Sequence, residues 1–505
     1  MSTRLKRSIY LIIFSSFIFL HFSCLKRVID EPTEKILAKV GSRTISVNEF
    51  IRRAEYTIRP PYCRTDYYVH RKIIFNSLIA EKLLALEAGD DNELVRNKEF
   101  QAYIRGRKEQ AMRQFHYCNE AYDKVELDTN EIKKVYEVAG RKYRVSYVVL
   151  PDSKTANEVY RLITKENLSF DEALEGLFVG GKIPQKEISF TDVEEAGIHE
   201  SLFSEKLKKD QVVGPIQTED RQFLFIKIEG WTEKLAVSEK DINQRWSDVS
   251  NKLKDLKAKK IYASYVQNLM KGKKLEFDED VFYQLAELIA PIYVKTEEEK
   301  KKSFNSRMWG REVDAEFEDD IWKNIDRFRN KPFFTIDGKV WSVSDFENVL
   351  KSHPLVFRKR RFNKTEFPQQ FRLAVADLVR DQYVNKDAYK KGYDKVISVK
   401  RSAEMWRDNL LSLYQKQKYL DKIGFKESFG KNYMKAITEY LNPYIDSLQT
   451  KYSDVIEIDT DKFEKIELTR IDMVAIQHNV PYSIVVPNFP LITTDNKLDY
   501  GKKIN

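Results

Sequence analysis

Residues 36–50 read ILAKVGSRTISVNEF. Apolar residues alternate on both sides of Gly41, and this pattern is typical of a short β-hairpin with a glycine turn. Ser46 is followed three residues later by Glu49, which is the spacing of a capping box at the start of a helix. Residues 73–89 (IIFNSLIAEKLLALEAG) then carry apolar side chains at helical spacing and end in glycine. The stretch therefore predicts a hairpin that leads into two helices.

The same pattern returns in the second half of the chain. Residues 334–346 read FTIDGKVWSVSDF, with alternation around a glycine and a serine cap. The string Ser-Val-x-acid-Phe falls at 46–50 and again at 342–346. Residues 378–388 likewise repeat the helical pattern of residues 78–88, with an acid before the final alanine in both.

A second similarity links two shorter stretches. Residues 275–282 read LEFDEDVF and residues 456–463 read IEIDTDKF, and each follows a long lysine-rich segment of helical pattern. Agreement in residue type, spacing and surrounding periodicity predicts two related helical modules in one chain.

The segment between the two modules has a different character. Residues 143–150 (YRVSYVVL) are β-branched and aromatic, which is typical of a strand. Further along, the sequence predicts helices at 153–165, 170–177 and 200–208 and strands at 188–190, 212–216 and 223–228. We therefore predict an α+β fold that is mostly helical, in which a duplicated helical module flanks a small α+β domain with an antiparallel sheet.

The first 24 residues have the features of an export signal. Three basic residues precede an apolar run at 9–20, which at about 1.5 Å per residue is too short to cross a hydrocarbon core of about 30 Å. A signal peptide at 1–23 is therefore expected. A small residue directly before Cys24 resembles the bacterial lipoprotein signal, in which the cysteine is lipidated and becomes the mature N-terminus. Ordinary cleaved secretion and a buried N-terminal helix are the alternatives.

Charge and cysteine content agree with export. Loss of residues 1–23 removes Arg4, Lys6 and Arg7 and takes the formal charge from +9 to +6. An exported protein does not ordinarily meet nucleic acid, so the basic run at 358–361 predicts a solvated face, or one near anionic lipid, and no nucleic-acid partner. Cys63 and Cys118 form an even pair for an oxidising compartment. The sequence allows two alternatives: a disulfide between these cysteines, or two buried free thiols.

Together these elements resemble the SurA, PrsA and PpiD group of extracytoplasmic chaperones. In that group a helical peptide-cradling module flanks a parvulin-type (PpiC) peptidyl-prolyl isomerase domain. The resemblance rests on residues 38–50, 78–88, 180–181, 213–216 and 225–228. It implies a lipoprotein signal peptide at 1–23, a SurA-like N-terminal module at 24–135, a divergent parvulin-like domain at 136–233, a helical connector at 234–330, a second SurA-like module at 331–450, and a C-terminal strand or extended tail at 451–505.

The parvulin-like domain departs from its family at the site. Parvulins are similar to one another in carrying a histidine on the first strand and another on the last, and those places fall within a residue of Tyr147 and Leu224. Isomerisation requires a site that binds the twisted amide better than the planar ones, against a barrier of about 18–20 kcal/mol. Lost polar residues would weaken that preference, whereas an apolar groove would still hold a peptide. We therefore expect a peptide groove lined by Tyr147, Phe190, Phe203 and Leu224, with no catalytic residue assigned.

The resemblance implies a function and partners. It predicts a chaperone or foldase that is lipid-anchored at the periplasmic face of a bacterial membrane, inner or outer, and that binds unfolded or nascent exported proteins. No cofactor or metal is expected, because the sequence has neither a glycine-rich phosphate loop nor metal-ligand spacing. An active prolyl isomerase and a structural lipoprotein with one fixed partner are the alternatives.

The C-terminal region adds one more feature. Residues 481–492 read PYSIVVPNFPLI, an apolar segment interrupted by prolines. It is expected either to pack on another module as an edge strand or arm, or to form a poorly fixed terminus.

Overall fold

A computed structural model describes residues 34–175, 183–192, 194–218, 221–294, 326–359, 362–468 and 481–504. The predicted signal peptide and Cys24 lie outside these residues. The described chain is α+β and mostly helical, with three small sheets. This agrees with the predicted class of an α+β, mostly helical fold.

The first module follows its sequence pattern closely. It consists of β1 (Ile36–Val40), β2 (Arg43–Ser46), α1 (Val47–Glu55), α2 (Tyr68–Ala88), α3 (Glu93–Arg96) and α4 (Lys98–Glu120). The Ser46 hydroxyl accepts a hydrogen bond from the backbone N–H of Glu49 (3.1 Å), which is one half of the predicted capping box. The Glu49 carboxylate pairs with Lys82 instead. Gly89 ends α2 with a φ of 72°, a conformation that glycine adopts without strain.

The segment after α4 forms the predicted small α+β domain, here called the insert domain. Its elements are α5 (Thr129–Tyr136), β3 (Arg141–Leu150), α6 (Ser153–Thr164), α7 (Phe170–Leu174), β4 (Gln185–Ser189), α8 (Ala196–Phe203), β5 (Val212–Gln217) and β6 (Phe223–Glu233). The sheet is antiparallel in the order β4-β3-β6-β5. One predicted helix is shifted. α8 ends at Phe203 rather than at residue 208, and Leu207 beyond it packs into the domain core.

A connector and the second module come next. They comprise α9 (Glu239–Leu269), β7 (Leu275–Phe277), α10 (Glu279–Tyr293), β8 (Pro332–Ile336), β9 (Lys339–Ser342), α11 (Val343–Leu350) and α12 (Phe367–Lys390). The three strands form an antiparallel sheet in the order β7-β8-β9. The full capping box that the sequence predicts is present at Ser342 and Asp345.

The C-terminal part returns to the first module. It comprises α13 (Ile397–Lys422), α14 (Phe429–Lys435), a π-helical turn (Ala436–Leu441), α15 (Asn442–Lys451), β10 (Ile456–Ile458), α16 (Thr460–Glu464) and β11 (Lys502–Lys503). β10 pairs antiparallel with β1, and β11 pairs parallel with β10, so the first sheet has the order β11-β10-β1-β2. The segment after residue 451 is therefore part of the first module's sheet.

The first and third sheets share one register. β10 joins the hairpin of the first module with Ala38 opposite Ile458. β7 joins the hairpin of the second module with Phe334 opposite Phe277. These are corresponding positions in the repeated sequences. The two stretches whose sequences resemble each other thus supply the third strand of the two hairpins.

An aromatic trio repeats in the same way. In the first module, the rings of Phe75 and Phe463 stack with centroids 4.9 Å apart and an interplanar angle of 20°. In the second, the rings of Phe371 and Phe282 stack at 5.2 Å and 19°. A third ring stands edge-on to each pair, and it belongs to the Phe of the repeated Ser-Val-x-acid-Phe string. The two module cores are therefore built alike.

Helix α2 is the centre of the first module's core. Every residue from Ile73 to Ala85 is buried. The hairpin sheet, the helices of the C-terminal part and residues 489–492 all contribute side chains to the same apolar cluster. Four polar side chains of α2 are consequently buried as well, and they are Asn76, Ser77, Glu81 and Lys82.

The two described cysteines are free thiols. Cys63 is buried beside α2, whereas Cys118 is exposed on α4. Burial raises the pKa of the Cys63 thiol to about 12. The structure therefore has free thiols rather than a disulfide, although only one of them is buried. In the described residues no helix is long and apolar enough to span a membrane.

Candidate peptide-binding site

The C-terminal residues 481–495, called the tail, lie in a groove of the first module. The tail forms neither helix nor strand along this length. Phe489, Leu491 and Ile492 are buried in the same apolar cluster as α2. Of the two expectations for this segment, the structure has the packed arm, held by side chains rather than as an edge strand. We call its binding surface the tail groove, formed by α1, α2, α13 and the start of α15, with Gln114 of α4 at one end.

Side chains of the groove hold the tail by its backbone. Each of the following contacts is a side-chain donor to a main-chain carbonyl oxygen of the tail. They run from Arg53 to Asn488 (2.8 Å), from Ser77 to Thr493 (3.4 Å), from Asn76 to Asp495 (2.9 Å) and from Gln114 to Tyr482 (3.2 Å). Because main-chain groups are common to all sequences, contacts of this kind give affinity that depends little on the bound side chains.

Asn442, the first residue of α15, fixes the end of the buried stretch. Its Oδ1 accepts hydrogen bonds from the Thr493 hydroxyl (2.8 Å) and from the backbone N–H of Thr494 (3.2 Å). Its Nδ2 donates to the Thr494 hydroxyl (3.0 Å). One amide side chain thus binds two consecutive tail residues.

A fully buried ion pair forms the floor of the groove. Arg53 on α1 and Glu81 on α2 are both 0% exposed and make two parallel hydrogen bonds of 2.8 and 2.9 Å. Asn409 on α13 donates to the same carboxylate (2.8 Å), and Arg53 also donates to the carbonyl of Asn488. Buried charges require such additional hydrogen bonds to offset their desolvation. The tail carbonyl is one of the groups that satisfies this pair.

A second buried network attaches α13 to the module. Asp408 on α13 accepts from Lys82 (3.0 Å) and from Arg43 (2.5 Å), and Glu49 pairs with Lys82 (2.8 Å). Although burial lowers the pKa of Lys82, the carboxylates of Glu49 and Asp408 outweigh it and hold that pKa above its ordinary value. Burial raises the pKa of Glu49. These charges fix the wall of the groove.

The groove is not completely filled by the tail. A small cavity remains between residues 488–492 and one face of α13, where it is lined by Asn409, Ser412, Leu413 and Lys416. Both polar and apolar side chains therefore border the tail on this side.

Most of the residues expected to line a groove of the insert domain are buried in the structure. Phe190, Phe203 and Leu224 are buried in the core of that domain, and the rings of Phe190 and Phe203 pack edge to face at 5.4 Å. Tyr147 is half-buried beside the same core. Tyr147 lies on β3, Leu224 on β6 and Phe203 on α8, and Phe190 follows β4. Their side chains meet in the domain core, where they stabilise the domain.

His199 is a buried residue of the insert domain for which no role was predicted. Its ring packs against those of Phe190 and Phe203, with centroids 4.7 and 5.0 Å away, and the three rings form a triangle. Its Nε2 hydrogen-bonds to the carbonyl of Phe190 (2.9 Å), which requires the proton to be on that nitrogen. Burial lowers the pKa of His199 to about 4. The sequence around it, Ala-Gly-Ile-His-Glu-Ser-Leu-Phe, contains several apolar residues, and this was the signal from which its burial could have been predicted.

Among the described residues, no three histidine, cysteine or acidic side chains are grouped so that they could hold a metal ion. No protein-family model matches the chain, and no curated protein matches it significantly.

Proposed function

We propose that this protein is an extracytoplasmic chaperone that is lipid-anchored to a bacterial membrane and binds unfolded exported proteins. The observation that carries the proposal is the tail groove. It holds an apolar segment that is neither helix nor strand, through hydrogen bonds to its main chain and through buried side chains, which is what the binding of unfolded chains requires. The anchor is inferred from residues 1–24 of the sequence alone.

The repeated architecture supports a duplicated chaperone module. The same strand register, the same aromatic trio and the same serine cap occur in both modules. Each hairpin and the helices after it resemble the SurA group. We therefore propose that two SurA-like modules flank one insert domain. The order of helices and strands in that insert, and its antiparallel sheet, fit a divergent parvulin-like domain.

Exposed apolar side chains support binding of clients at a second place. Where β6 leads into α9, the side chains of Trp231, Leu235, Val237, Ile242 and Trp246 are 37% to 82% exposed. Such side chains mark an interaction surface where they form one contiguous patch.

Weak or absent isomerase activity is part of the proposal. Tyr147 and Leu224 stand where the resemblance places histidines, and Leu224 is buried. The buried histidine of the domain, His199, has its Nε2 bonded to a main-chain carbonyl of its own domain. These residues offer no polar network to a substrate proline.

Suppression of aggregation tests the proposal. The mature chain with Cys24→Ser is added at increasing ratios to three unrelated unfolded proteins, and light scattering is recorded. We expect suppression of all three near equimolar ratios, and no acceleration of a proline-limited refolding reaction. Failure to suppress any of them contradicts the chaperone proposal. Suppression of one alone favours a fixed partner, and accelerated refolding favours the isomerase.

A further inference from the structure

We infer that the tail occupies the site where an unfolded client binds, and that this tail groove accepts irregular apolar segments, including segments that contain proline. This inference rests on the proposed chaperone function and names the site and the class of segment that it binds. Clients and the tail then compete for one groove within the same chain.

Three of the side chains that donate to tail carbonyls, Arg53, Asn76 and Ser77, lie on α1 and α2 of the first module. The offset that relates Ser46 to Ser342 also relates the stacked rings of Phe75 and Phe371, and it differs by about one helical turn from the alignment of residues 78–88 with 378–388. At this offset the second module carries Val349, Arg372 and Leu373 instead. The two modules share their aromatic core and their sheet register, so this difference is not needed for the fold. It adapts one module to holding an irregular segment.

The pattern of contacts explains why proline is compatible with the groove. The side chains of Arg53, Asn76, Ser77 and Gln114 all donate to carbonyl oxygens. A proline residue keeps its carbonyl and lacks only the N–H, and it holds the chain extended. The tail itself has Pro487 and Pro490 on either side of the buried Phe489. A groove that binds carbonyls therefore accepts proline-containing segments that a strand-pairing edge would reject.

The apolar part of the selection comes from the buried tail side chains. Phe489, Leu491 and Ile492 enter the core cluster around α2. An incoming segment must replace this burial. It must also supply a carbonyl to Arg53, because the fully buried Arg53–Glu81 pair would otherwise lose one of its hydrogen bonds. Exchange of the tail for a similar segment keeps both requirements satisfied.

Competition within one chain sets the expected affinities. A tethered segment acts at an effective concentration on the order of millimolar, so a free peptide binds the intact protein weakly. A tail whose apolar side chains are removed no longer competes well. The groove should then bind a peptide of the same sequence at least about tenfold more tightly.

Peptide binding measures this directly. A fluorescein-labelled peptide of residues 481–495 is titrated by anisotropy with the mature chain, with a Phe489→Ser/Ile492→Ser variant and with Val485→Ser as a control in an exposed part of the tail. We expect the double variant to bind at least about tenfold more tightly than the other two proteins. A peptide with serine in place of its Phe, Leu and Ile should not bind, and one with alanine in place of both internal prolines should bind no more tightly. Equal affinity of the three proteins overturns the inference.

Amide hydrogen exchange of the unaltered chain is a second test, and it does not depend on whether a variant folds. On addition of an unfolded client whose aggregation the protein suppresses, residues 488–495 are expected to exchange at least about tenfold faster, because the client displaces them. Unchanged exchange together with suppressed aggregation contradicts the inference and leaves the chaperone function standing. A different result, in which the protein suppresses the aggregation of no client, would contradict the proposed function and the inference together.

Discussion

The Asp408→Ala variant is expected to lose about 3–5 kcal/mol of its free energy of unfolding. Asp408 is buried on α13 and accepts hydrogen bonds from the side chains of Lys82 and Arg43, which are also buried. Its removal leaves Lys82 with Glu49 and Arg43 with the exposed carboxylate of Asp90. Two cations then share less negative charge in a region from which water is excluded, and this accounts for the size of the effect.

Urea unfolding followed by circular dichroism measures this loss. Glu404→Ala is the matched control, because Glu404 lies on the same helix and pairs with Arg401 at the surface. Exposed pairs contribute little, so the control should change the unfolding free energy by less than about 0.5 kcal/mol. An Asp408→Ala effect as small as that of the control would show that the network does not attach α13 to the first module.

Stability should fall on acidification because of His199. The pKa of this residue is lowered by burial from 6.5 to about 4 in the folded protein. Above pH 6.5 the imidazole is neutral in both states and its contribution is constant. Between pH 6.5 and 4 the unfolded chain binds a proton that the folded domain does not, so the free energy of unfolding decreases by up to about 3 kcal/mol. Below pH 4 both states are protonated and the loss stops growing.

The His199→Gln variant isolates this contribution. Its amide can still donate to the carbonyl of Phe190 but does not titrate. The difference in unfolding free energy between the unaltered protein and the variant should therefore change by about 3 kcal/mol between pH 7 and pH 4. His70→Gln serves as the control, because His70 bonds to the exposed Thr65 and is not enclosed by aromatic rings on both sides. A difference that is independent of pH would contradict the buried, neutral state of His199.

Local sequence signals predicted most of the secondary structure. The alternation around Gly41 and the serine at position 46 determine the hairpin and the helix start within fifteen consecutive residues. Local signals could not predict that β10 pairs with β1, because the paired residues Lys39 and Glu457 are 418 positions apart in the sequence. The similarity between residues 275–282 and 456–463 did relate the two third strands, but it did not indicate which hairpin each would join.

The candidate site was less predictable, for two physical reasons. Phe190, Phe203 and Leu224 are apolar residues of the kind that lines grooves, but the same residues fill cores, and here they are buried. Glu81 and Lys82 interrupt an apolar run. This interruption indicates buried charged side chains only when their partners Arg53 and Asp408 are known. Those partners come from a different helix in each case, so sequence spacing along α2 alone does not reveal them.

Site-specific photocrosslinking tests the central claim most directly. A benzoylphenylalanine replaces Leu413, which borders the cavity beside the tail, and a matched variant carries it at Tyr283, which is exposed on α10 of the second module. Both are irradiated with an unfolded client whose aggregation the protein suppresses. We expect crosslinks to the client from position 413 and few from position 283. Suppressed aggregation with no excess of crosslinks at position 413 would contradict the claim that the tail groove binds unfolded chains.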